Sequence, residues 1–155
     1  MFKGLITLEK ILNSYSAEQT EQIGALLAKA LISDKSLPRF VALYGDLGVG
    51  KTAFTRGFTH FAVPSAKVKS PTFALVNEYI GEKIKICHFD MYRIEDEDDL
   101  YSIGFYDYLD GKNLCITEWS EKIEESLPDS YIRVEIIKND INNPDSREIR
   151  ISKIN

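Results

Sequence analysis

The residues Gly45, Asp46, Leu47, Gly48, Val49, Gly50, Lys51 and Thr52 constrain this chain more than any other stretch, because they set a GxxxxGKT pattern directly after the apolar run 40–44. A buried strand that ends in such a loop and feeds a helix is a phosphate-binding unit. Gly45, Gly48 and Gly50 let the backbone curl so that successive amides point inward around a phosphate. Lys51 supplies a mobile positive charge for the β and γ oxygens. A helix starting near Gly50 adds its positive dipole end, and the Thr52 hydroxyl is suited to a magnesium ion bridging the phosphates. The implied ligand is a nucleoside triphosphate with Mg2+, and Gly45, Asp46, Gly48, Val49, Gly50, Lys51, Thr52 and Ala53 are the candidate binding residues.

Strand and helix alternate around this unit. Ser16 followed by Gln19 reads as a capping box opening a helix over 17–32, with Ile23, Leu26, Leu27, Ala30 and Leu31 on its buried side. The phosphate-loop strand spans 39–44. Its helix spans 51–61, where Phe54, Phe58 and Phe61 recur at helical spacing. Segments 74–80 and 83–90 read as strands joined at Gly81-Glu82. A short helix is expected from about 96, a compact aromatic segment over 104–109, a strand over 113–117 and a helix near 120–126. Strands 131–138 and 147–153 close the chain as a hairpin around Asn142-Asn143-Pro144. The order predicts an α/β, three-layer P-loop NTPase fold, with a mainly parallel central sheet and antiparallel edge strands.

At 155 residues the chain is expected to form a single domain, without internal repeats or a dividing linker. No apolar stretch approaches the ~18 residues of a membrane span, and the start Met1-Phe2-Lys3-Gly4 lacks the features of a signal peptide, so a cytoplasmic location is expected. Cys87 and Cys115 lie in apparent strands without CxxC spacing, which predicts buried core thiols and neither a zinc site nor a redox motif. The net charge of −5 argues against free-standing nucleic-acid binding, so contact with RNA is expected only through a partner.

Magnesium takes oxygen ligands and usually has one from a carboxylate at a neighbouring strand end. Two residues qualify: Asp90 ends the run 85–89, and Glu118 ends the run 114–117. In a parallel sheet both emerge at the carboxyl edge beside the phosphate loop, one to hold the ion and one to polarise the attacking water. Sequence alone leaves the two roles open. The segment Lys69-Ser70-Pro71-Thr72-Phe73 stands where nucleotide switches keep a γ-phosphate sensor, although a simple loop explains it equally.

GDLGVGKTAFTRGF, VKSPTFALVNEY, HFDMYR, IGFYDYL and ITEWSEK, in that order and spacing, resemble the TsaE family, formerly YjeE, over about 16–127. The resemblance implies an ATPase acting with the TsaB and TsaD proteins in threonylcarbamoyladenosine modification of tRNA beside the anticodon, with tRNA met only through those partners. It makes Lys51 and Thr52 the phosphate and magnesium residues, Thr72 the switch threonine, and Asp90 and Glu118 the acidic pair, with Glu118 favoured as direct metal ligand. Trp119 is placed beside the site, Arg147 matches an arginine near the nucleotide, and Ser16 and Ala17 match the nucleotide-contacting start of the first helix. No NKxD motif occurs, which agrees with ATP rather than GTP.

Other residues carry two readings each. His88 is either a contact of the site or a strand histidine with a satisfied hydrogen bond; Arg56 and Arg93 are either phosphate-facing or structural. Two other functions share the motif: a small-molecule kinase, for which no clustered arginine lid is present, and a nucleotide-dependent switch with negligible turnover.

Overall fold

The computed structural model describes residues 9–155; the Met1-Phe2-Lys3-Gly4 start on which the signal-peptide reading rests lies outside the described residues. Along the chain run β1 (Lys10–Ser14), α1 (Ala17–Ser33), β2 (Phe40–Tyr44), α2 (Lys51–Ala62), β3 (Val76–Ile80), β4 (Lys85–Asp90), α3 (Glu97–Ser102), β5 (Leu114–Glu118), β6 (Tyr131–Ile137) and β7 (Arg147–Ile154). Short 3-10 segments cover Phe105–Leu109 and Ser120–Ser126. The strands form one seven-stranded sheet in the order β1-β7-β6-β2-β5-β4-β3. β6, β2, β5 and β4 are parallel to one another; β3 pairs antiparallel with β4 on one side, and on the other β7 pairs antiparallel with β6 and β1 with β7.

Alternation along β2 divides the core between two layers. Val41 and Leu43 face α1 and α2, joining Leu27, Leu31, Phe54, Phe58, Ile116 and Val134. Phe40, Ala42 and Tyr44 face the other side, where Cys87, Phe89, Met91, Leu100, Phe105 and Cys115 collect. Both cysteines are buried free thiols, as expected from their strand positions. Cys115 is pushed up in pKa by its hydrogen bond with Cys87 and by burial, which keeps it a neutral core thiol.

α1 begins where the capping signal put it: Ser16 Oγ accepts the Gln19 amide, stabilising the first turn by about 1 kcal/mol. The reciprocal bond closes one residue early, from the Tyr15 amide to Gln19 Oε1. α1 then crosses α2 with their backbones almost touching. A Cβ built on Gly57 would lie 1.8 Å from the Glu21 carbonyl oxygen, and one on Gly24 would lie 2.2 Å from that of Phe54. Arg56 ties the same pair of helices through a 2.7 Å bond to Glu21, so it serves the structural reading. The phosphate-loop helix is thereby fixed against a second helix.

Several expectations need correction. β1 was not anticipated, because five residues with half-exposed alternation look like a loop until β7 supplies a partner in register from Lys10↔Ile151 to Ser14↔Arg147. Leu26 and Phe61 are 44% and 43% exposed rather than buried. Each has a fully buried residue nearby on its own helix, Leu27 and Phe58, that takes the core-facing position. The helix expected near 120–126 is a kinked 3-10 segment, broken at Ile123. Among the described residues no helix is long and apolar enough to cross a membrane.

Candidate functional site

β2, β4 and β5 are parallel and end at the same sheet edge, which places the phosphate loop, Asp90 and Glu118 together. Asp90 and Glu118 are direct register partners across β4 and β5. The loop itself needs its glycines. Gly45 has φ 147° with Ile136 O 2.7 Å from where a Cβ would stand, and Gly50 caps α2 in the left-handed region at φ 112°. No side chain caps the first amides of α2 and no acidic residue occupies its first turn. An α-helix of 12 residues whose leading amides are left to an outside acceptor is a site for anionic phosphate, so the residues present fit the triphosphate that the motif implies.

The side chains converge on a cleft of about 570 Å3. Lys51 Nζ donates to Gly45 O at 2.5 Å and lies 4.0 Å from the centre of the Trp119 ring. Thr52 Oγ1 donates to Glu118 Oε1 at 3.4 Å. Asp90 is held twice, accepting from Ser70 Oγ at 3.1 Å through Oδ2 and from the Tyr92 amide at 3.0 Å through Oδ1. Ser70 Oγ in turn lies 3.2 Å from Thr72 Oγ1. The 70–72 stretch is thus tethered to the β4 tip. Trp119 adopts φ 58°, a left-handed conformation that costs a non-glycine residue about 1–3 kcal/mol. That turn lays its ring against Tyr92, with centroids 5.0 Å apart.

Among the described residues no group of three or more His, Cys, Asp or Glu gathers as a metal cage. The available donors are the Thr52 hydroxyl and the Glu118 and Asp90 carboxylates. Such an oxygen set suits Mg2+, whose remaining positions are normally filled by water and substrate phosphate.

Of the residues singled out from sequence, Gly48, Gly50, Lys51, Thr52, Thr72, Asp90, Glu118 and Trp119 line the cleft. Gly45, Asp46, Val49, Ala53, Ser16, Ala17 and Arg147 are not among its lining residues. Arg147 spends its guanidinium on carbonyls: Nε donates to Val49 O at 2.7 Å, and Nη1 donates to Pro144 O and Ser146 O at 2.5 and 2.9 Å. Arg93 stacks over the Phe73 ring at 4.6 Å rather than lining the cleft. Of the two readings of His88, that of a satisfied strand histidine is not met, since neither ring nitrogen has a hydrogen-bond partner among the described residues. Leu47, Ser70 and Tyr92 also line the cleft; Leu47 and Ser70 lie inside the phosphate-loop and 69–73 segments read from sequence but were given no role of their own there. The hydroxyl of Ser70 beside Pro71 and the position of Tyr92 two residues after Asp90 were the available signals.

The family model described as "Threonylcarbamoyl adenosine biosynthesis protein TsaE" matches residues 14–149. The chain is similar to the tRNA threonylcarbamoyladenosine biosynthesis protein TsaE of Haemophilus influenzae, 45% identical over 96 residues, which are 62% of this chain and 61% of that relative. The protein of the same name from Bacillus subtilis is 38% identical over 114 residues, 74% of this chain and 69% of the relative. That of Rickettsia bellii is 36% identical over 128 residues, 82% of this chain and 88% of the relative. Among solved structures, the crystal structure of Bacillus subtilis YdiB superposes with a TM-score of 0.70 at 27% identity, covering 95% of this chain and 86% of that one. The phosphate loop, the paired strand-tip carboxylates and a family match spanning most of the residues agree, and the chain belongs to the TsaE family.

Proposed function

We propose that this chain is a Mg2+-dependent ATPase of the cytoplasm that serves threonylcarbamoyladenosine modification of tRNA at the adenosine next to the anticodon. It acts with the TsaB–TsaD pair and meets tRNA only through those partners. The observation that carries this reading is the convergence of Lys51, Thr52, Asp90 and Glu118 on one cleft at the head of the phosphate loop.

The contacts support a division of labour. Amides of the loop and of the α2 N-terminus bind the phosphates, and Lys51 exchanges the Gly45 carbonyl for a phosphate oxygen, a stronger charge-assisted partner. Thr52 and Glu118, already neighbours, would hold Mg2+, which supplies neutralisation of phosphate charge. Asp90 is anchored to the 70–72 stretch through Ser70, which supports it as the carboxylate that orients the attacking water. Thr72 senses the γ-phosphate from the same stretch.

Phosphate release should be measured with the purified protein alone, with TsaB and TsaD, and with candidate small acceptors. The reading predicts hydrolysis stimulated by the two proteins. A stoichiometric phosphorylated acceptor would point to a kinase, and nucleotide-dependent association without turnover to a switch.

A further inference from the structure

His88 is fully buried in β4, two residues before Asp90 and on the same face of the strand. Its Nε2 lies 3.4 Å from Glu118 Oε2, a contact in distance that lacks the alignment of a hydrogen bond, and both ring nitrogens are without a partner among the described residues. A buried polar group left unpaired costs about 1–3 kcal/mol. The other histidine of the chain avoids that cost: His60 Nε2 is 2.7 Å from Ala66 O. On β3 the side chains beside His88 are engaged elsewhere. Asn77, its register partner, donates to Lys69 O, and Tyr79, whose ring stacks at 6.5 Å on the imidazole, also turns its hydroxyl to Lys69 O.

We infer that His88 is a positioning residue for Glu118, donating an Nε2–H to Oε2 so that the other oxygen stays turned toward Thr52. An ionised carboxylate only accepts, so the nitrogen facing it must carry the proton. The terminal torsions of both side chains are soft, and a small rotation brings the 3.4 Å contact into line. Glu118 is thereby held at both ends, with the Thr52 hydroxyl 3.4 Å from Oε1 and the imidazole at Oε2. A carboxylate fixed in this way loses less freedom when it receives a cation, which is how outer partners tune ligand groups. The inference rests on Glu118 being the carboxylate that faces the metal.

The test begins with nitrogen-15 NMR of the histidine rings in the full chain without nucleotide. With two histidines in the sequence, His60→Gln assigns both rings. The expected result is a proton-bearing His88 Nε2 whose signal moves in Glu118→Gln while that of His60 stays. A bare Nε2, or one indifferent to Glu118→Gln, overturns the inference, and this readout needs no His88 variant to fold. In turnover assays, His88→Ala should lower kcat about 10- to 100-fold with an unchanged KM for ATP, and His88→Gln should restore most of it. A wild-type kcat in His88→Ala, or a glutamine no better than alanine, contradicts it. Failure of the unmodified protein to bind ATP would instead overturn the proposed function, and the ring spectrum would still decide the His88–Glu118 contact.

Discussion

The Nε of Arg147, on β7, donates to the carbonyl of Val49 inside the phosphate loop at 2.7 Å, across 98 positions of sequence. In a trans peptide the carbonyl and the following N–H point in opposite directions. Holding the Val49 oxygen therefore fixes the direction of the Gly50 amide, at a residue that lines the cleft. The C-terminal hairpin in this way sets the orientation of one amide of the phosphate loop without itself lining the cleft.

Arg147→Ala should weaken triphosphate binding about 10- to 100-fold, the equivalent of losing a charge-assisted bond of about 1.5–3 kcal/mol. Calorimetric titration with Mg-ATP checks it. Unaltered affinity would mean that the loop keeps its shape without this anchor.

Glu118→Ala removes the carboxylate beside Thr52 while leaving the amides and Lys51 in place. Partner-stimulated turnover should fall by roughly 100-fold or more, with a much smaller loss of binding. Measuring phosphate release and affinity on the same preparation separates the two. Full turnover in the variant would remove this carboxylate from the mechanism.

Trp119 is the single tryptophan of the chain, and Lys51 Nζ lies 4.0 Å from its ring centre. Transfer of Lys51 from this ring to a phosphate changes the field at the indole, so intrinsic emission should shift on adding Mg-ATP. Lys51→Ala should alter the emission of the free protein and abolish the nucleotide response. An equal response in the variant would show that the ring does not report on Lys51.

Gly57→Ala places a methyl 1.8 Å from the Glu21 carbonyl oxygen, in backbone that cannot yield without moving α1 from α2. The cost should be at least about 2 kcal/mol, seen as a drop of about 4–8 °C in Tm. An unshifted melting curve would mean that the two helices are not in this close contact.

How much of this was legible in the sequence depends on whether the signal was local. The GxxxxGKT spacing, the strand before it and the carboxylates at two strand ends identify chemistry through residue type and position. The cleft accordingly holds Lys51, Thr52, Asp90 and Glu118. β1 was invisible because its strand character comes from pairing with residues more than 130 positions later. The bond from Arg147 to Val49 was equally hidden, since the residue type announces a cation but not that backbone carbonyls will use it. His88 carried two readings in the sequence, a contact of the site or a satisfied strand histidine, and only the packed sheet reveals that Glu118 Oε2 lies 3.4 Å from its Nε2.

Calorimetric titration of Mg-ATP into the folded protein, with and without TsaB and TsaD, tests the central claim most directly. Uptake of one nucleotide per chain is predicted, weakened at least about tenfold in Lys51→Ala, where the phosphates lose their nearest mobile cation. No uptake by the folded wild-type chain under either condition, or identical uptake by the Lys51 variant, would contradict the account.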